Sequence, residues 1–148
     1  MSRSGYSDDC TDSSLICWLG AVKRGIRGKR GQAFLREMID ALDAMPEKAL
    51  VEGDLQTDSG DVCAMGAVAL KRGLDVTQVD PEDREQVAET FGISQALAAE
   101  IAYENDEDFS WKKETPQERW TRMRKWAVEN LAPPALHDSA AGMHAPKV

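Results

Sequence analysis

The sequence predicts a mainly α-helical fold, a compact bundle of about five to six helices with at most one short β-hairpin near residues 48–63. Three observations carry that expectation. Apolar residues between Ser13 and Met45 recur at three- and four-residue intervals, the spacing of one helix face. Helix-start chemistry stands at Asp80-Pro81, at Ser94 and at Thr115-Pro116-Gln117-Glu118, each ahead of an apolar run. Strand-like residues gather only in residues 47–62, around the turn-forming stretch Thr57 to Asp61.

Taken in order, Leu15, Trp18, Leu19, Val22 and Ile26 make the inner face of a first helix, capped within Thr11-Asp12-Ser13. Gly25 and Gly28 weaken its end, and the apolar register stops at Lys29 and Arg30. A second helix then turns Leu35, Met38, Ile39 and Leu42 inward and ends at about Met45, because Pro46 cannot continue it. Two antiparallel helices joined by "RGKRG" follow from this. "CAMGAVALKRG", small and apolar with Gly73 as a stop, reads as a buried helix with Cys63 as a small core residue. Asp80 as cap and Pro81 at the first helical position predict a helix from Pro81 to Phe91, ended by Gly92. Ser94 caps the next, with Leu97, Ala98, Ile101 and Ala102 inward. Thr115 and Glu118 have the capping-box spacing, and Trp120, Met123, Ala127 and Leu131 face the core behind them. One helical domain over 12–131 is expected, between a flexible 1–11 and a disordered, Pro- and Ala-rich 132–148.

With 148 residues and 42% hydrophobic side chains the chain suits a single core. It has no run near the roughly 18 apolar residues of a membrane span and no apolar leader in "MSRSGYSDDC", so a cytoplasmic protein is expected. Cys10, Cys17 and Cys63 are odd in number and irregularly spaced, which reads as free thiols. The net charge of -8 is unevenly placed: residues 1–36 carry seven cations against three acids, and the remainder 11 against 23. Such a body repels nucleic acid at long range while leaving one basic corner for local binding.

The segments "MSRSGYSDDC", "RGKRGQAFLREMIDALDAMP", "VCAMGAVALKRGLD", "IAYENDE", "ETPQERW" and "RKWAVENL" together resemble a set of small proteins encoded in bacteriophage and prophage genomes. The likeness spans nearly everything up to Leu131, with the opening and "RGKRGQAFLRE" as its most specific parts. It implies a phage setting, in the cytoplasm of a bacterial host, and assigns no catalytic or binding residue.

The first candidate site is "GIRGKRGQAF", with Arg24, Arg27, Lys29 and Arg30 around three evenly spaced glycines. It lacks the spacing and hydroxyl of a P-loop, and its G-x-x-G matches the KH clamp without the strands a KH domain needs. Arg24 and Arg27 suit the negative end of the first helix, whereas Lys29 and Arg30 precede the positive end of the second. That mismatch points to a bound phosphate or acidic partner side chain; the competing reading is a solvated corner with glycines for packing. The second candidate is an acidic surface of Glu100, Glu104, Asp106, Glu107 and Asp108, with another row from Asp80 to Glu89, which either imitates nucleic-acid phosphates or is a solvated face. Phe109 and Trp111, in a polar loop, either fold back as a lid or stand out as contacts.

No catalytic, metal or cofactor residues are expected. His137 and His144 lie in the tail, and neither Asp54 nor Asp106 opens a loop with EF-hand ligands. The preferred expectation is a phage accessory protein that binds another protein, host or phage, as an inhibitor of a host defence or nucleic-acid-handling complex. A nucleic-acid binder using the Gly25–Gly31 loop is the alternative.

Overall fold

The structure, a computed structural model, describes residues 12–107 and 113–133. The described residues form six helices: α1 (Asp12–Arg27), α2 (Lys29–Ala44), α3 (Ala64–Arg72), α4 (Arg84–Phe91), α5 (Gln95–Asp106) and α6 (Pro116–Asn130). The expected flexible start at 1–11 and the tail beyond residue 133 lie outside them. α2 packs on α3 and α6, and α5 packs on α1 and α4. Leu35, Met38, Leu42, Val68, Leu97, Ile101 and Met123 are fully buried where these layers meet. Phe34 of α2 meets Phe91 of α4 edge to face at 6.0 Å, an arrangement favoured by the ring quadrupoles. The Arg72 guanidinium lies over both rings and pairs with Glu37 at 2.6 Å, and its hydrogen bond holds the Glu37 carboxyl below the usual glutamate range.

Local chemistry sets most helix ends. Gly73 and Gly92 close α3 and α4 in the left-handed conformation, where a side chain would be strained. Ser94 accepts Leu97 N–H at 3.1 Å. At α6 the capping box is complete: Thr115 Oγ1 accepts Glu118 N–H at 3.1 Å and Glu118 Oε1 accepts Thr115 N–H at 3.0 Å. Thr115→Ala is expected to lower stability by about 1 kcal/mol, read as a lower denaturation midpoint at unchanged slope. An unchanged midpoint would contradict the cap's contribution.

Two expectations are corrected. The hairpin near 48–63 is absent: among the described residues the two sides of this stretch form no paired strands, only an isolated bridge, Gln56 to Val62, and scattered main-chain bonds such as Val51 N–H to Val62 O at 2.9 Å. Other backbone groups of the stretch are held differently. Leu50 N–H donates to Pro116 O at 3.0 Å, and Thr57 and Asp61 close a turn through main chain and hydroxyl. Leu50, Leu55 and Val62 anchor the stretch in the core, and strand pairing would compete with these attachments. The fourth helix starts at Arg84 rather than Pro81, because Asp83 accepts Gln86 N–H at 3.1 Å and is the cap. Asp80 instead accepts Glu82 N–H at 2.9 Å in the turn before it.

Candidate functional site

The α1–α2 corner is built by close approach. A Cβ on Gly31 would stand 1.8 Å from Gly25 O, and one on Gly25 would stand 2.6 Å from Ser94 Oγ. The glycines therefore let the start of α2 lie against the end of α1, and the end of α1 against the start of α5. Gln32 locks the arrangement: its Nε2 donates to Ile26 O at 2.7 Å and Asn130 O at 3.1 Å, and its Oε1 accepts Ala132 N–H at 2.8 Å. The glycines belong to packing, and nothing in their placement requires a ligand.

The cations are a separate matter. α2 begins on Gly28, which has no side chain to cap it, and no acid stands in the first turn. Gly28 N–H donates to Arg24 O and Gln32 N–H to Gly28 O, so the amides of Lys29, Arg30 and Gly31 lie at the open, positive end of the helix. Lys29 and Arg30 sit there exposed. Neither they nor Arg24 and Arg27 form an ion pair with a described residue. Arg24, Gly28, Lys29 and Arg30 line an open hollow of about 560 Å³, closed on the far side by Ser94, the cap of α5, and Ala96 in its first turn. Arg27, exposed on the last turn of α1, lies outside that lining. Arg30 also borders a second hollow of about 360 Å³ shared with Glu85 and Glu89.

Of the expected acidic surface on α5, Glu100 is not at the surface. Glu100 is buried, only 4% exposed, because α5 contacts α1, α3, α4 and α6 and has little free face. Asp106 is half-buried and structural: its Oδ1 accepts Gly53 N–H at 3.0 Å and Asn105 Nδ2 at 2.9 Å. Glu104 and Glu107 are half-buried. Asp108, Phe109 and Trp111 lie outside the described residues. The row from Asp80 to Glu89 is different, with Asp80, Glu82, Asp83, Glu85 and Glu89 all exposed.

Sequence reasoning missed a buried polar knot below α6. Arg119, 5% exposed, donates to Asn105 O at 3.0 Å and Leu50 O at 3.1 Å and lies 3.4 Å from Glu114. Arg122 pairs with the same carboxylate at 2.6 Å and donates to Glu104 O. Asn105, 2% exposed, joins Ala64 N–H at the start of α3 to Val51 O. Together these groups satisfy the C-terminal carbonyls of α5 and the first amide of α3. Cys63 caps α3 beside them, and burial pushes its thiol up to about 11, so it is a neutral wall and a poor nucleophile.

Among the described residues, no group of three or more His, Cys, Asp or Glu side chains is placed to hold a metal ion. No helix among them is long and apolar enough to cross a membrane. Comparison of the chain with family models, with curated proteins and with solved structures gives no match.

Proposed function

We propose that this chain is a binding protein, not a catalyst, and that it docks an acidic segment of a partner protein at the α1–α2 corner. One observation carries the reading. Arg24, Lys29 and Arg30 line an open hollow at an uncapped helix start and form no ion pair with a described residue. Cations at that end are unfavourable by several tenths of a kcal/mol each, and an incoming carboxylate would remove the penalty while meeting free amides. A short acidic segment suits the hollow better than a nucleic acid does, because a body of net charge -8 repels an incoming anion in proportion to its charge, and a nucleic acid carries a charge on every phosphate along its length. The exposed row from Asp80 to Glu89 adds long-range attraction for basic regions of the same partner. The resemblance to phage-encoded proteins supplies the setting, an accessory factor acting on a host protein in the bacterial cytoplasm. Inhibition of a defence or nucleic-acid-handling complex is the specific role that setting favours.

The combined charge reversal Lys29→Glu with Arg30→Glu separates the corner's two uses. It is expected to raise stability by about 0.5–1 kcal/mol through the helix dipole and to abolish NMR shifts of the Lys29–Gly31 amides on titration with an oligo-glutamate peptide. Wild type that gives no such shifts, or a reversed variant that binds as well as wild type, refutes the reading. The nucleic-acid alternative draws on the same clustered cations. Tighter binding of a single-stranded oligonucleotide than of the peptide, lost steeply with added salt, would favour it.

A further inference from the structure

A smaller hollow, away from the corner, lies where the loop at Gly53–Leu55, the start of α3, the start of α4 with the turn before it, and one side of α5 from Ala98 to Asp106 meet. Its volume is about 100 Å³, and Met65, Val87, Ala98 and Ala102 form its apolar walls. Among the described residues its rim is mainly acidic, with Asp54, Glu82 and Asp106 beside the one cation Arg84. Asp106 is held by Gly53 and Asn105, whereas Asp54 and Glu82 are exposed and form no ion pair with a described residue. A void walled by apolar side chains forfeits dispersion contacts on its empty side, and voids of this general size take up small apolar molecules.

We infer that this hollow is a binding site for a small aliphatic ammonium ion, with the alkyl chain against Met65 and Val87 and the ammonium directed to Asp54 and Glu82. The charge complementarity of the rim selects the cationic head, and the volume limits the chain to about four carbons. Binding is non-covalent, since an alkylammonium ion offers no electrophilic centre to the Cys63 thiol in the wall. The inference is independent of the α1–α2 corner, which shares no residue with this hollow.

NMR titration of the intact protein with n-butylammonium, n-butanol and butyrate tests it. The ammonium ion is expected to give saturable shifts and intermolecular NOEs from its methylenes to the methyls of Met65 and Val87, with the alcohol weaker and the carboxylate weakest. Asp54→Asn and Glu82→Gln, both at exposed positions, should each weaken the ammonium roughly two- to fivefold, the scale of one solvent-exposed ion pair. Ala102→Leu should fill the hollow and remove binding. If that variant misfolds, the two carboxylate variants still decide. Absence of NOEs to Met65 and Val87, equal binding of butanol, or unchanged affinity in both carboxylate variants would overturn the inference.

Discussion

Gly31→Ala is expected to destabilise the fold by about 2–3 kcal/mol, and Gly66→Ala by a similar amount, whereas Gly20→Ala should stabilise it. None of the three has the positive φ that would call for glycine, so the difference is one of space. At Gly31 the added carbon meets Gly25 O at 1.8 Å and Ile26 O at 3.0 Å. At Gly66 it meets Leu55 O at 1.8 Å and Val62 Cβ at 2.9 Å. These are mainly backbone atoms, fixed by the helix ends and loop they belong to, so whole segments have to move apart. At Gly20 the nearest atom is Arg24 Nη1 at 3.3 Å, the free end of a flexible side chain. There the helix-propensity gain of alanine, up to about 1 kcal/mol, is left uncontested. Urea denaturation of the three variants measures the contrast. If Gly31→Ala proved as stable as wild type, packing would not explain the corner glycines, and their spacing would again need a ligand to account for it.

What the sequence disclosed here follows the range of the interactions concerned. Ser94, the pair Thr115 and Glu118, and the stops at Gly73 and Gly92 were legible because each acts on backbone within about four residues of itself. Asp83 misled for the same reason in reverse: Pro81 is a good first residue, but the acid two positions later also caps, and local rules do not rank the two. Glu100 and Arg119 were illegible as buried groups because their burial depends on which helices surround them. A weak signal existed for Glu100, since Leu97, Ala98, Ala99 and Ile101 surround the α5 axis with apolar side chains, the mark of a helix without a free face. For Arg119 there was none. Its partners Leu50 and Asn105 stand 69 and 14 positions away. The corner was half legible: the run of cations and glycines is contiguous, but that the cations pair with no carboxylate among the described residues is a tertiary fact.

Loss of Arg119 should be far more damaging than loss of Arg124, although both arginines stand on α6 and pair with carboxylates. Arg124→Ala removes a bidentate contact to Asp43 at 2.6 and 2.9 Å, yet the two side chains are 37% and 45% exposed, and water replaces most of what is lost. An effect of at most about 1 kcal/mol is expected. Arg119→Ala strands Leu50 O, leaves Asn105 O with only the longer 3.3 Å bond from Arg122, and takes one cation away from Glu114, 9% exposed, which Arg122 still pairs with. Unmade hydrogen bonds at buried groups and a half-compensated carboxylate together give an expected loss of about 3–5 kcal/mol. Arg119→Lys should recover little of it, because one ammonium cannot supply the fork that reaches two carbonyls and a carboxylate at once. The knot joins the loop at Leu50–Val51 to the ends of α5 and α6, so in the alanine variant amide exchange should rise first at Val51, Gly53 and Ala64, ahead of the Leu35–Met38 core. Denaturation midpoints for the two alanine variants that fell within about 1 kcal/mol of each other would show that the buried arginine is no more than a displaced surface charge.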